Sequence, residues 1–249
     1  MRVAVIADVH GNRLALAAVL QDIAAATPDL LIELGDAVSG PLWPAETFEM
    51  LAATGAIALR GNHDRWVARH PVEKLGTTDA FTHARLSAAQ RAALGARPMT
   101  WRGEGILAMH ALPEDDLTYL LHESTEHGIR ERPPAAVSAL LPQPAGEGLI
   151  LSAHTHRAHA LRLADGRLVV NPGSVGQPAY TDATPYPHVM QAGTPHARWA
   201  LLERRGATWR LAFRAIEYDW DAAASEAARH GRDDWSRALA TGVLSDTAQ

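Results

Sequence analysis

Five short apolar runs in this chain each stop at a cluster of acidic, amide or imidazole side chains, and that coincidence constrains the fold more than any other feature. Residues 3–7 run into Asp8 and His10, residues 30–34 into Gly35-Asp36, and residues 56–59 into Gly61-Asn62-His63-Asp64. Residues 106–109 stop at His110, and residues 149–152 at His154-Thr155-His156. Short continuous apolar runs are the pattern of strands covered on both faces. Between the first three runs, residues 14–23 put Leu16, Val19, Leu20 and Ile23 on one helical face, and residues 45–53 read as a second helix. The order strand–helix–strand–helix–strand predicts an α/β chain with a parallel sheet wrapped by helices. Its polar clusters then gather at the edge where the strands end.

The remainder is less regular. Helices are predicted over 78–94, 115–123 and 134–141, the last with prolines at its start. Residues 99–101 pair with 106–109 across Gly103-Glu104-Gly105, residues 160–163 with 168–170 across Asp165-Gly166, and residues 198–203 with 208–215. A turn-forming segment at 171–178 leads into a variable loop near 179–197, and a helix-prone tail begins at about 219 and ends polar and frayed. No repeat or linker divides the chain, so a single domain over 1–249 is expected.

Carboxylate, imidazole and amide oxygen together suit divalent first-row metals, whereas a calcium cage would use oxygen almost alone. In an extended segment residues i and i+2 point the same way, so Asp8/His10 and His154/His156 can each aim two groups into one cleft. Cysteine is absent, which excludes disulfides, thiolate metal sites and cysteine nucleophiles. A net charge of −5 argues against an extended nucleic-acid or membrane surface as partner, because no basic surplus exists to neutralise a polyanion. It leaves room for a small phosphate ester, since bound cations reverse the local charge. The first residues read as a core strand rather than a signal peptide and no run is long enough to span a membrane, so the cytoplasm is the expected compartment.

The ordered set Asp8-Val9-His10, Gly35-Asp36, Gly61-Asn62-His63-Asp64, His110 and His154-Thr155-His156 resembles the calcineurin-like metallophosphoesterases. The extensions His10-Gly11-Asn12 and Asn171-Pro172-Gly173-Ser174-Val175-Gly176-Gln177-Pro178 are similar to the small prokaryotic, phosphodiesterase-like branch, and the resemblance covers about residues 1–178. It implies a four-layer β-sandwich flanked by helices with two divalent metals at one edge, manganese first and iron or zinc next. One metal would take Asp8, His10 and His156, and the other Asn62, His110 and His154, with Asp36 bridging. The hypothesis that follows is in-line attack on phosphorus by a hydroxide held between the metals. His63 would serve as general acid or phosphate donor above the site, with Asp64 fixing its orientation. The chain departs from the family pattern at Ala153, where glycine is usual. Alanine resists φ > 0, so the backbone there is expected to stay extended.

Other positions carry less. Asn12 and Arg13 stand at a helix start suited to an anion, although for Arg13 a plain surface charge is the simpler account. Trp43 could stack on an aromatic group or simply pack, and His188 and His196 fall in the long loop, where they could overhang the site although free surface histidines are the simpler account. His70, His83, His122, His127, His159 and His230 show no partner pattern and are expected to be non-functional. The leading function is hydrolysis of small phosphate mono- or diesters. Dinucleoside polyphosphate hydrolysis and a non-catalytic, metal-binding interaction protein of the same fold are the alternatives, and a metal-dependent nuclease fits the acidic chain poorly.

Overall fold

The structure, a computed structural model, describes residues 1–244. Strand β1 (Arg2–Ile6) alternates as its sequence requires: Val3 and Val5 face a second sheet while Ala4 and Ile6 face helices. Helix α1 (Arg13–Ala26) is capped by Asn12, whose side chain accepts from the Ala15 N–H, and it ends at Thr27 in the left-handed region. Strand β2 (Leu30–Glu33), α2 (Pro44–Ala52), β3 (Ile57–Ala58) and α3 (Asn62–Arg69) complete the alternating first third.

Two helices, α4 (Thr77–Arg85) and α5 (Ala88–Ala96), replace the one expected over 78–94. Leu86 is extended, and Ser87 and Gln90 cap the new helix reciprocally, the signature of a helix start rather than an interior. The paired strands β4 (Thr100–Gly103) and β5 (Ile106–Met109) follow as expected. The helix predicted over 115–123 does not form. The Asp115 carboxylate accepts from Leu117 N–H, Thr118 N–H and the Thr118 hydroxyl, a local turn that competes with helix, and the chain pairs from His122 onward. That gives the hairpin β6 (His122–Thr125) and β7 (Gly128–Glu131), then α6 (Pro134–Leu140), β8 (Leu149–Leu151), β9 (His159–Arg162) and β10 (Leu168–Asn171).

The expected loop at 179–197 also contains a hairpin, β11 (Ala179–Asp182) and β12 (His188–Gln191), with its prolines confined to the connection. The long pair β13 (Ala197–Arg205) and β14 (Thr208–Ile216) precedes α7 (Trp220–Arg229) and α8 (Asp233–Thr241). The expected polar end of the tail lies outside the described residues.

Two five-stranded mixed sheets, ordered β14-β13-β1-β2-β3 and β4-β5-β8-β10-β9, face each other across a core that includes Val3, Val5, Ile32, Leu34, Ile106 and Leu151. Leu16, Val19, Val67 and Leu94 from α1, α3 and α5 cover the outer face of the first sheet, and Val137 of α6 packs on the second. The result is the four-layer, helix-flanked sandwich anticipated above. The tail helices fold back through Ala223, Ala227, Trp235 and Leu239 onto Leu42, in the segment that follows Asp36. Among the described residues no helix is long and apolar enough to cross a membrane.

Candidate metal centre

The strand-end residues sit in tight left-handed turns. Asp8, His10, Asp36, His154 and His156 have φ of 53°, 50°, 56°, 68° and 57°. For residues other than glycine this region costs on the order of 1–3 kcal/mol each, and it persists only where the surroundings over-determine it. The expectation that each i, i+2 pair lies on extended backbone is therefore corrected. Both members of each pair stand in the turn beyond the strand. At Ala153 the left-handed step falls on His154 and His156 instead, which is how the chain tolerates alanine before the pair.

Backbone bonds lock these turns. The N–H groups of Asp8 and His10 donate to the carbonyls of Gly35 and Asp36, both at 3.0 Å, and the Ala153 N–H donates to His110 O at 2.7 Å. The Ser174 hydroxyl and the Gly176 N–H both donate to Asp8 O, at 2.7 and 3.0 Å. A Cβ at Gly176 would overlap the Val9 carbonyl, so residues 171–178 act chiefly as a brace behind the turns.

Hydrogen bonds also set the tautomers. His10 Nδ1 bonds Ser39 O at 2.6 Å and His156 Nδ1 bonds Gln177 O at 2.7 Å, so each ring carries its proton on Nδ1. The two Nε2 atoms then present lone pairs to each other at 3.1 Å. Beside them, Asp8 is fully buried and neither of its carboxylate oxygens has a hydrogen-bond partner. His110 also bonds a backbone carbonyl, Nδ1 to Leu34 O at 2.9 Å, but its Nε2 faces acceptors, Asn62 Oδ1 at 3.0 Å and Asp36 Oδ2 at 3.4 Å. Burial alone would lower its pKa, and the Asp36 carboxylate outweighs it and raises it to about 10. His154 differs, since its Nε2 bonds Leu117 O at 3.0 Å, which leaves Nδ1 as the nitrogen available to ligate. Two groups of donor atoms result, Asp8/His10/His156 and Asp36/His110/His154, each within 4.8 Å. Acceptors aimed at acceptors in a buried site, as at His10, His156 and Asp8, are an arrangement that a bound cation would satisfy. Burial pushes Asp8 well above the usual carboxylate range, and it pushes His10 down to about 4, so the imidazole is neutral and able to ligate at neutral pH. This donor set fits divalent first-row metals.

His63 is brought above the centre, with its ring centroid 5.6 Å from that of His10, and its backbone N–H donates to Asp36 Oδ1 at 2.9 Å. Its ring partner is Asp79, at 2.8 Å from Nδ1, and Asp64 does not touch the ring. Asp64 instead accepts from the backbone N–H groups of Asp36, Ala37 and Gly61 at 2.9, 3.1 and 3.1 Å, fixing the Asp36 turn against the start of α3. The expected His63–Asp64 pairing is thus replaced by His63–Asp79, across 16 residues of sequence. Burial alone would lower the His63 pKa, but the carboxylates of Asp79 and Asp36 outweigh it and raise it to about 9.

A cleft of 1220 Å³ opens over these residues, walled by Trp66, Tyr119, Tyr180, Arg232 and Trp235 among others. The Tyr180 hydroxyl donates to His154 O at 3.0 Å and meets the Tyr119 hydroxyl at 2.8 Å, which lies 3.0 Å from His188 Nε2. His188 is therefore buried behind Tyr119 rather than a free surface group, whereas His196 packs on Trp220. The substrate role expected for Asn12 is not supported. Its amide nitrogen donates to Gly176 O and to the Tyr218 hydroxyl, its oxygen caps α1, and it is wholly buried. Arg13 lies over Trp43 at 4.8 Å and neither residue lines the cleft, so both find packing roles there. Asp79, the tyrosines and Trp235 were missed because nothing in their local sequence marks them.

Residues 1–191 match the family model of the calcineurin-like phosphoesterase superfamily domain, and the chain belongs to that family. Its structure is similar to that of a metallophosphoesterase from Sphaerobacter thermophilus, with a TM-score of 0.73 at 26% identity, covering 98% of this chain and all of that one. It is also similar to a putative diadenosine tetraphosphatase, with a TM-score of 0.54 at 17% identity over 85% of this chain and 93% of that one, a likeness of fold alone. No curated protein matches the chain. Family and neighbours support a phosphoesterase, and the strand ends carry groups of candidate metal ligands.

Proposed function

We propose that the chain is a two-metal hydrolase of small phosphate mono- or diesters acting by in-line displacement. The observation that carries this is the pair of bare imidazole nitrogens of His10 and His156, 3.1 Å apart beside an unpartnered, buried Asp8. Asp8, His10 and His156 would hold one ion and Asn62, His110 and His154 the other, with Asp36 available to both. Manganese is the first expectation, then iron or zinc. Bound divalent ions supply charge neutralisation at the phosphoryl oxygens and a nucleophilic water at neutral pH.

His63 supplies the proton. Asp79 engages Nδ1 and keeps the ring charged, which leaves Nε2–H to protonate the departing oxygen. Asp64 acts at one remove by holding the turn that carries Asp36. On this reading the chain works in the cytoplasm on a small substrate rather than an extended nucleic acid.

Dinucleoside polyphosphate hydrolysis is the second reading, favoured by a 1220 Å³ cleft with Trp66 and Trp235 in its walls, since indole faces can stack on bases. The test is metal analysis of the purified chain with a panel of an aryl phosphomonoester, an aryl phosphodiester, a cyclic nucleotide and a dinucleoside polyphosphate. Turnover of the simple aryl esters supports the first reading, and turnover confined to the dinucleotide supports the second. Two bound metals with no turnover of any ester would mean a binding protein.

A further inference from the structure

A third cluster of metal-binding side chains lies outside the centre described above. His122 of β6 and Glu131 of β7 stand directly opposite in the hairpin register, and His159 comes from β9 at the edge of the second large sheet. One nitrogen of each ring and a Glu131 carboxylate oxygen lie no farther than 4.8 Å apart. The two rings meet with centroids 5.2 Å apart at 61°.

Edge-to-face packing of two imidazoles would account for the ring contact, but it leaves polar atoms unexplained. The Nδ1 atoms of His122 and His159 are both buried without a hydrogen-bond partner, and His122 is 1% exposed. A buried imidazole nitrogen with no partner is destabilising, and each of these two adjoining rings leaves one, while His159 Nε2 stands 4.0 Å from the Glu131 carboxylate. Burial, then the neighbouring Arg157 and His159, push His122 down to about 3, so the ring is in the neutral form that a metal takes.

We propose that His122, His159 and Glu131 form a separate structural site for a divalent transition metal, zinc first, clamping the β6–β7 hairpin to strand β9. Two imidazoles and a carboxylate form a ligand set that zinc accepts, with water completing the tetrahedron. Tetrahedral coordination at about 2.0–2.1 Å brings ligand atoms to roughly 3.4 Å from one another. The Glu131 side chain, 67% exposed, is free to close that gap. The clamp bears on the cleft because Glu123 and Ser124 of the same hairpin line it.

The test is zinc equilibrium dialysis of the full chain, in the parent and in the Asp36→Asn background that weakens the strand-end centre. Glu131→Gln and His159→Gln should each bind one equivalent fewer than their own background. Hydrogen exchange over residues 122–131 should slow on zinc addition in the parent, and should not slow in Glu131→Gln. Glu131 is exposed, so that variant tests the site even where a His122 substitution disturbs folding. Equal zinc content in variant and background overturns the proposal, and it does so independently of whether the strand-end centre hydrolyses anything.

Discussion

The strand-end turns and the walls of the cleft are built differently. In the turns, Asp8, His10, Asp36 and His156 are left-handed and buried, tied by backbone bonds, with Asp8, His10 and His156 aimed at one another through bare acceptors. The walls draw on two short hairpins and the tail helices, with Trp66 and Tyr180 only part-buried and with hydroxyl contacts such as Tyr119–Tyr180. Strain of on the order of 1–3 kcal/mol per left-handed residue is sustained in the turns because the surrounding hydrogen bonds leave no alternative. The walls carry no such constraint. Under the proposed function, that difference would put the chemistry in the turns and the choice of substrate in the walls.

The largest effect should come from the most shared turn residue. Asp36→Asn should weaken metal binding at both sites by more than the 10–100-fold typical of outer-shell changes, and calorimetry on the metal-stripped chain would show it. Loss at one site alone would break the bridging assignment. His63→Ala should lower turnover by about 10²–10⁴-fold with metal content unchanged. If turnover persists, His63 belongs to the walls rather than the chemistry.

The two aspartates that flank His63 should separate cleanly. Asp64→Ala strands buried N–H groups at Asp36, Ala37 and Gly61, at roughly 1–3 kcal/mol for each one left unsatisfied, and denaturant unfolding would read that loss. Asp79→Asn should act on the pH profile instead. His63 is raised from 6.5 to about 9, so its charged form contributes stability in full below about 6.5, and that contribution is lost as pH rises through about 9. The alkaline limb of turnover should lie at or below about 9, because bound cations oppose the charge, and Asp79→Asn should move it toward acid. An unmoved limb would remove Asp79 as the positioning residue. The smallest effect is expected at Arg13, which lies over Trp43 away from the cleft: Arg13→Ala should leave KM within about twofold, as for ordinary surface substitutions.

What the sequence disclosed follows the same division. Apolar runs ending in Asp8, Asp36, Asn62, His110 and His154 are local patterns, and burial on both faces of β1, β5 and β8 makes them unambiguous. Their conformation was not legible, because left-handed histidines and aspartates depend on bonds to Gly35, Asp36 and Ser174 from distant segments. Asp64 looked like the partner of His63 because it is adjacent, yet in α3 neighbouring side chains diverge, and Asp79 reaches the ring from α4. The hairpin at 179–191 was hidden by prolines that turned out to occupy only its connection. His122 and His159 showed no pattern because a cross-strand pair and a separate sheet edge bring them together.

The central claim is that the strand-end turns hold two metals. Anomalous scattering at the manganese edge, from crystals grown with manganese, tests it by position. Two peaks are predicted, one contacting Asp8, His10 and His156 and one contacting Asn62, His110 and His154, with Asp36 reaching both. A single peak at those turns, or none, would contradict it.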